Sequence, residues 1–347
     1  MDKLTDTLTL CQHCYRHVPA IKFKRDNAIW LGKTCPKHGY SEHLVEPDAD
    51  FYLGYVYPKK THTAYFIETT NKCNLTCPHC YQLPDNTSSD PSIDYILTQI
   101  SSWEDDGYVI SLAGAEPTAR KDLDILIKRI KALPGKPRKI IVLTNGVNLA
   151  KLDYAKKFVG IDNLSWTIGL NHPDYHGDKI RKKQLDGIEN CIALGLTIKN
   201  ISYTLESLDQ LEYCLEEIQA FYPSKCKQFR IRVGADIGRN PEGEQVYLSQ
   251  LVKATQTIAV NKGWSYSPDP LSGIRAHYPV IINGAHIKLI QWPDVTTLDM
   301  EEIQTETWAD VLPGKPISPL VHQVILRDHM VNNKQMLYDT VPEKYRR

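Results

Sequence analysis

Seven side chains in the first eighty residues have the types and spacing to do metal chemistry. Cys73, Cys77 and Cys80 fall as C-x3-C-x2-C in the stretch Thr69–Tyr81, directly after an apolar run, Ala64-Tyr65-Phe66-Ile67, that reads as a strand. Three thiols this close on one loop cannot all pair as disulfides without strain, but they can cup a single metal cluster. A four-iron cluster held by three cysteines keeps one iron without a protein ligand, and an open metal position is where a catalytic ligand goes. A second set lies upstream. Cys11-Gln12-His13-Cys14 is followed by Cys35-Pro36-Lys37-His38-Gly39, so Cys11, Cys14, Cys35 and His38 form a C-x2-C…C-x2-H pair of knuckles suited to one tetrahedral zinc ion. Four filled positions leave no place for a substrate, so the expected role is structural. A rubredoxin-like iron site is the competing reading, and His13, His17 and His43 compete with His38 as the fourth ligand.

The elements that must position these residues are legible from hydrophobic periodicity. In the ribbon, strand-like segments Ala20–Lys24 and Ala28–Leu31 flank an Asp26-Asn27 turn, and so few apolar residues need a metal to close them. From about Tyr65 to Val233, strands and helices alternate. Helices are expected over Ser92–Trp103, Asp122–Leu133, Tyr154–Val159, Gln184–Leu194 and Leu208–Tyr222. Strands are expected at Tyr108–Leu112, Lys139–Leu143, Leu164–Leu170, Ile198–Leu205 and Phe229–Val233. Six such units imply a parallel sheet with covering helices, curled into a partial (β/α)6 TIM-like barrel whose site lies at the carboxyl ends of the strands. Beyond it come a helix over Gln245–Lys262 and a hairpin, His277–Ile282 and Ala285–Trp292, turning at Asn283-Gly284. Pro279 places the first hairpin strand at an edge. Helices near Met300–Trp308 and Pro319–Asp328, with His322 and Arg327, complete a C-terminal α+β cap. The expected domains are 1–60, a zinc-ribbon-like or rubredoxin-like ribbon; 61–240, the barrel; and 241–347, the substrate-capping region.

The cysteine triplet at the end of a first barrel strand resembles the signature of the radical S-adenosylmethionine (SAM) superfamily, over roughly residues 62–240. The resemblance implies a [4Fe–4S] cluster on Cys73, Cys77 and Cys80, with SAM chelating the open iron. One electron then splits the sulfonium to a 5′-deoxyadenosyl radical that abstracts a substrate hydrogen. It also implies a cofactor site. Gly114-Ala115-Glu116-Pro117 stands where the superfamily has Gly-Gly-Glu-Pro, so Glu116 and its neighbouring carbonyls would accept from the methionyl amine. Ala115 replaces the second glycine, a change that a backbone contact survives. Asn145, in Thr144-Asn145-Gly146, would lie near the ribose and methionyl part, although Asn-Gly is also ordinary turn chemistry. Asn171 or His172 would approach the SAM carboxylate or ribose. Arg232 would meet a SAM or substrate carboxylate, or else form an outward salt bridge. His79 and Tyr81 flank the last cluster cysteine, where a ring can stack on adenine. The two-knuckle ribbon is similar to a subgroup that includes archaeal pterin methylases and tetraether lipid synthases. Those carry further cysteines, whereas none follows Cys226 here, which argues against an auxiliary cluster and against their methyl-transfer and lipid-coupling activities.

Composition sets the remaining bounds. The chain has 347 residues, 42% hydrophobic and 24% charged, with a formal net charge of +0, so no global field favours nucleic acid or an anionic membrane. No apolar run approaches a membrane span, and the start does not read as a signal peptide. Of nine cysteines, six fall in the two ligand clusters and Cys191, Cys214 and Cys226 are scattered, a distribution that suits a reducing cytoplasm. The leading expectation is a radical SAM enzyme acting on a small polar metabolite, pterin- or nucleotide-like, with electrons from a flavodoxin- or ferredoxin-type donor. Maturation of a ribosomal peptide or protein is a second reading. A non-catalytic iron–sulfur and zinc protein, sensing redox state, is a third.

Overall fold

Two sheets build the molecule, which is described here from a computed structural model. The structure describes residues 2–13, 17–54, 64–77, 80, 84–101, 109–135, 139–233, 245–269 and 277–291. The first sheet is an antiparallel meander of β1 (Asp2–Leu10), β2 (His17–Arg25), β3 (Ala28–Cys35) and β4 (Gly39–Glu46). Asp26 and Asn27 join β2 to β3 with φ of 51° and 58°. Two positive φ values in a two-residue loop match the twist of the flanking strands. The sequence pattern marks β2 and β3 but not β1, and the reason is visible. In β1 the residues facing inward are Thr7 and Thr9, both buried, while Leu4 and Leu8 face out. A short helix, α1 (Ala49–Gly54), follows, and the Phe51 amide donates to Asp48 Oδ1 at its start, 2.9 Å.

Among the described residues the second sheet has nine strands. In chain order they are β5 (Ala64–Glu68), β6 (Val109–Ala113), β7 (Lys139–Thr144), β8 (Leu164–Gly169), β9 (Ile198–Leu205), β10 (Gln228–Val233), β11 (Tyr266–Pro268), β12 (His277–Ile282) and β13 (Ala285–Ile290). Their spatial order is β11-β12-β13-β10-β9-β8-β7-β6-β5. From β5 to β10 neighbours are consecutive and parallel, as right-handed β/α units require. The connecting helices are α2 (Ile93–Ser101), α3 (Leu123–Lys131), α4 (Leu152–Ala155), α5 (Gly177–Ala193) and α6 (Leu211–Phe221), with α7 (Leu248–Asn261) after β10.

One face of this sheet carries the core. Ile110 and Leu112 of β6, Ile140 and Val142 of β7, Trp166 and Ile168 of β8, Tyr203 of β9 and Phe229 and Ile231 of β10 pack with buried residues of α2, α3, α5, α6 and α7. The alternate positions are polar on β8 to β10: Ser165, Thr167, Asn200, Ser202, Thr204, Arg230 and Arg232. Period-two alternation therefore makes a second face lined by hydroxyls, amides and guanidinium groups, on which Thr167, Asn200, Ser202 and Thr204 are buried. Among the described residues, the helices pack on the face opposite these polar side chains, and the strands from β5 to β10 follow in sequential order.

Several sequence expectations are corrected. A seventh parallel strand joins the six, because β13 pairs with β10, so the hairpin extends the main sheet. Pro279 does not mark an edge, since the three-residue β11 pairs outside β12. That short strand stops at Pro268, opposite Val280, and the Asp269 amide then donates to the Pro279 carbonyl at 2.8 Å, so the missing proline N–H is not called on. Helix α5 begins at Gly177, not Gln184, because Arg181 is buried and turns into the protein to pair with Glu217. The expected helix over Tyr154–Val159 is the single turn α4 followed by a 3-10 turn at Lys156–Phe158. The expected helices around Met300 and Pro319 lie outside the described residues, as does the 234–239 segment.

The ribbon is fastened to the larger sheet. Glu46 at the end of β4 is buried; it accepts from Ser249 Oγ at 2.5 Å and from the Ser249 amide at 3.4 Å, at the start of α7. Lys253 pairs with Asp48 at 2.7 Å. The Phe51 and Tyr278 rings pack with centroids 5.5 Å apart.

Candidate active site

The loop that carries Cys73, Cys77 and Cys80 leaves β5 at its carboxyl end and is held by its neighbour strand. The Thr69 amide and hydroxyl both donate to the Ala113 carbonyl at 2.9 Å. Past the strand ends, the Ala115 amide donates to Thr70 O at 3.0 Å and the Glu116 amide to Lys72 O at 2.9 Å. The loop after β6 is thus zipped to the cysteine loop. This close approach requires Gly114: its φ is 115°, and an added Cβ would stand 2.3 Å from the Thr70 carbonyl oxygen. Ala115 has no such constraint, which is why the departure from Gly-Gly is tolerated. Arg120, buried, donates to the carbonyls of Thr69 at 2.9 Å and Pro91 at 2.7 Å and pairs with Asp122. It fixes the start of the loop from below.

Within the loop, the Cys73 amide donates to Asn86 Oδ1 at 3.0 Å, the Leu75 amide points at Cys73 Sγ at 3.4 Å, and the Cys80 amide donates to Cys77 O at 3.3 Å. None of the three is in a disulfide. Burial pushes the Cys73 thiol up to about 11, with the charges of Glu116 and Cys80 adding to it. A thiolate there calls for a positive partner, and iron is one. Among the described residues, the only His, Cys, Asp or Glu group with all ligand atoms within 4.8 Å is Cys11, Cys35 and His38. The loop cysteines do not meet that limit together. That suits a multi-iron cluster, in which each thiolate takes a different iron.

Glu116 is the hub of the site. Its side chain is buried and accepts four hydrogen bonds: from the Thr118 amide at 3.0 Å, Thr118 Oγ1 at 2.5 Å, Thr144 Oγ1 at 2.6 Å and the Asn145 amide at 2.7 Å. Burial pushes its carboxyl above the ordinary range, and these donors pull it back only in part. Among the described residues no cation pairs with it. A buried carboxylate without a countercharge fits an ammonium group arriving with a ligand. Asn145 then links Glu116 to the cysteine loop. Its Nδ2 donates to Asn74 Oδ1 at 2.7 Å and lies 4.0 Å from Cys73 Sγ, while its Oδ1 accepts from the Val147 amide at 3.0 Å. Asn145 therefore serves the turn and the site together.

The loop after β8 approaches from the other side. His176 Nε2 lies 3.3 Å from Cys77 Sγ, and burial lowers the imidazole below its usual value. Sequence reasoning named Asn171 and His172 on this loop but not His176; nothing in its spacing separates it from His172. The Asn171 carbonyl accepts from Arg181 Nη1 at 2.6 Å, and Arg181 in turn pairs with Glu217, so the loop is tied to α5 and α6. His172 faces Asp174 at 3.2 Å and packs on Tyr213, centroids 4.8 Å apart. Arg232 is not part of this group. It sits near the end of β10 on the polar face of the sheet and donates through Nε to Thr204 Oγ1 at 2.7 Å. His79 and Tyr81 lie outside the described residues.

In the ribbon, Cys11 Sγ and Cys35 Sγ lie 3.4 Å and 3.5 Å from His38 Nδ1. Burial raises the Cys35 thiol, but the amides of Lys37 and His38 and the His38 and Cys11 side chains outweigh it and bring it down to about 6. A site that favours thiolate is what zinc needs. Cys14, the expected fourth ligand, lies outside the described residues. His43 belongs to β4, paired with Leu31, and His38 rather than His43 meets the cysteines.

Comparison with known proteins follows the same division. Residues 3–47 match the HMPTM N-terminal zinc ribbon domain, and residues 67–216 match the radical SAM superfamily. The 7,8-dihydro-6-hydroxymethylpterin dimethyltransferase of Methanocaldococcus jannaschii is 27% identical over 227 residues, 54% of this chain and 44% of that enzyme. The GTP 3′,8-cyclase of Limosilactobacillus fermentum is 29% identical over 147 residues, 39% of this chain and 43% of that enzyme. The matches thus span about half or less of these relatives' lengths. Among solved structures, Streptococcus suis SuiB bound to S-adenosylmethionine superposes with a TM-score of 0.46 at 16% identity, covering 62% of this chain and 51% of that one. Among the described residues no helix is long and apolar enough to cross a membrane.

Proposed function

We propose that this chain, in which residues 3–47 match a zinc ribbon and residues 67–216 match the radical SAM superfamily, cleaves SAM reductively to abstract hydrogen from a small, polar, pterin- or nucleotide-like heterocycle. In this reading Cys73, Cys77 and Cys80 hold a [4Fe–4S] cluster. That cluster, when bound, supplies the electron that splits the sulfonium and frees the 5′-deoxyadenosyl radical. The chain's own residues bind and orient. Glu116, with the loop carbonyls beside it, accepts from the methionyl ammonium. Gly114 lets that segment lie against the cysteine loop. Asn145 fixes the distance between the two, and Asn171 with the loop after β8 bounds the ribose side. His79 and Tyr81 offer rings for adenine. Cys11, Cys14, Cys35 and His38 hold a structural zinc ion. A flavodoxin- or ferredoxin-type protein delivers the electron.

The observation that carries this reading is the buried Glu116 carboxylate, without a cation among the described residues and electrostatically coupled to Cys73. The test is anaerobic reconstitution with iron, sulfide, SAM and dithionite. Wild type releases 5′-deoxyadenosine and Cys77→Ala does not; equal release from both, or none from wild type with an intact cluster, overturns the reading. Methyl transfer is a second reading, supported by the ribbon's match to the pterin dimethyltransferase family. Release of S-adenosylhomocysteine beside 5′-deoxyadenosine would select it.

A further inference from the structure

Three polar groups meet within the apolar core on the helix side of the large sheet. Arg181 on α5 is buried and pairs with Glu217 on α6, and the Tyr203 hydroxyl of β9 donates to Glu217 Oε2 at 2.8 Å. Arg181 also reaches outside the pair. Its Nη1 donates to the Asn171 carbonyl at 2.6 Å, where the loop after β8 begins. Three residues on, and so on the same side of α5, Gln184 is buried too. Its Nε2 donates to the carbonyls of Gly169 at 3.0 Å and Asn145 at 3.1 Å. Two side chains of one helix thus grip the backbone where β7 and β8 end. The loop they grip carries His176, whose Nε2 lies 3.3 Å from Cys77 Sγ. Tyr213 of α6 adds a hold: its ring packs 4.8 Å from that of His172 and its hydroxyl donates to Glu217 Oε1 at 3.5 Å.

A buried ion pair does little for stability by itself, because apolar residues of the same volume serve the fold as well or better. Its placement therefore points to geometry. Among the described residues from β5 onward, the charged side chains that are buried are Glu116, Arg120 and Arg181. Glu116 and Arg120 shape the cysteine loop and the cofactor site. We propose that Arg181 and Glu217 complete this set as positioning residues, holding the loop after β8 where His176 meets Cys77. Glu217 aims the guanidinium, the guanidinium holds the Asn171 carbonyl, and the loop carries His176 across. A planar fork suits the task, since it offers one nitrogen to the carboxylate and another to the carbonyl at a fixed spread, which an ammonium does not. Neither residue touches a reacting atom. The inference rests on the reading of Cys77 as a cluster ligand; hydrogen bonds to the sulfurs are among the contacts that set a cluster's potential. Tyr175, which donates to Gln210 Oε1 at 2.8 Å, tethers the middle of the loop independently.

The test separates positioning from stability. The triple variant Arg181→Met, Glu217→Leu, Tyr203→Phe removes the three polar groups together and leaves no buried charge or hydroxyl behind. Two quantities are measured on the full chain: amide hydrogen exchange over residues 171–176 before iron is added, and the midpoint potential of the cluster after anaerobic reconstitution without SAM. The triple variant should melt no lower than wild type. Its loop amides should exchange about tenfold faster, and its cluster potential should move in the negative direction, as in His176→Ala. Placed in the His176→Ala background, the same three substitutions should add no further shift, because the pair acts through His176. If the triple variant fails to accumulate or melts lower, Arg181→Lys decides: it keeps the charge beside Glu217, loses the fork, and should give both effects in smaller size. Unchanged exchange over the loop, an unchanged potential, or a shift just as large without His176 each overturns the proposal. Neither measurement needs SAM to be cleaved. A chain that assembles the cluster but releases no 5′-deoxyadenosine leaves this inference standing, and release by a chain whose potential ignores the pair sinks this inference alone. A wild type that assembles no cluster overturns both.

Discussion

Replacing Gly114 by alanine tests how the cofactor site is held together. The new Cβ would lie 2.3 Å from Thr70 O and 3.1 Å from Thr70 N. A carbon and a carbonyl oxygen in contact stand about 3.3 Å apart, so one loop must move by about 1 Å. The atoms in the way belong to the backbone and cannot rotate aside. The movement stretches the two bonds that zip the loops, Ala115 N to Thr70 O and Glu116 N to Lys72 O. Each is worth about 1 kcal/mol net. Holding a residue with a side chain at φ 115° adds about 1–3 kcal/mol. The sum is about 3–5 kcal/mol, a large part of the roughly 5–15 kcal/mol that keeps a domain folded. Gly160 is the control: its φ is 77° but nothing lies within 4 Å of an added Cβ, so Gly160→Ala should cost only about 1–2 kcal/mol. Urea unfolding of both variants measures the difference, and equilibrium dialysis measures SAM binding. Gly114→Ala should lose about two orders of magnitude in turnover from the displaced loop, and Gly160→Ala none. Equal stability costs for the two, or an unchanged SAM affinity in Gly114→Ala, would refute the argument.

Glu116→Gln should weaken SAM binding about 10- to 100-fold, the value of one charge-assisted bond. Its sign with pH is set by burial: the folded carboxyl is raised, so the stability gained from its protonated form is complete below the ordinary carboxylate range and is lost as pH rises through the raised value. Wild-type ligand-free protein should therefore lose unfolding free energy as pH rises above the ordinary carboxylate range through the raised value, while Glu116→Gln stays flatter, and parallel curves would refute this. Cys35→Ser should lose its zinc by elemental analysis and expose the ribbon to proteolysis while the cluster chromophore persists; retention of zinc at full stoichiometry would remove Cys35 from the ligand set. His176→Ala should make the cluster potential more negative by on the order of tens of millivolts, because a donor to a cluster sulfur is lost, and spectroelectrochemistry showing no shift would separate His176 from the cluster.

What the sequence disclosed and what it withheld have physical causes. The cysteine triplet, the Glu116 segment and the alternation from β5 to β10 were legible because each is written in local spacing. The seventh parallel strand was not. An apolar hairpin looks the same whether it caps a sheet or joins it, and only the pairing of Arg230 with Lys288 across strands decides. Helix α5 was read short because Asp178, Lys179 and Arg181 look solvent-facing, and Arg181 is buried only because Glu217 waits for it on α6. Strand β1 was missed because its threonines point in. His176 was hidden among equivalent histidines, since contact with Cys77 spans 99 residues and leaves no trace in spacing. Arg232 was the guanidinium picked from the sequence, but among the described residues it is Arg230 whose Nε is buried without a hydrogen-bond partner, a property of burial rather than of residue type.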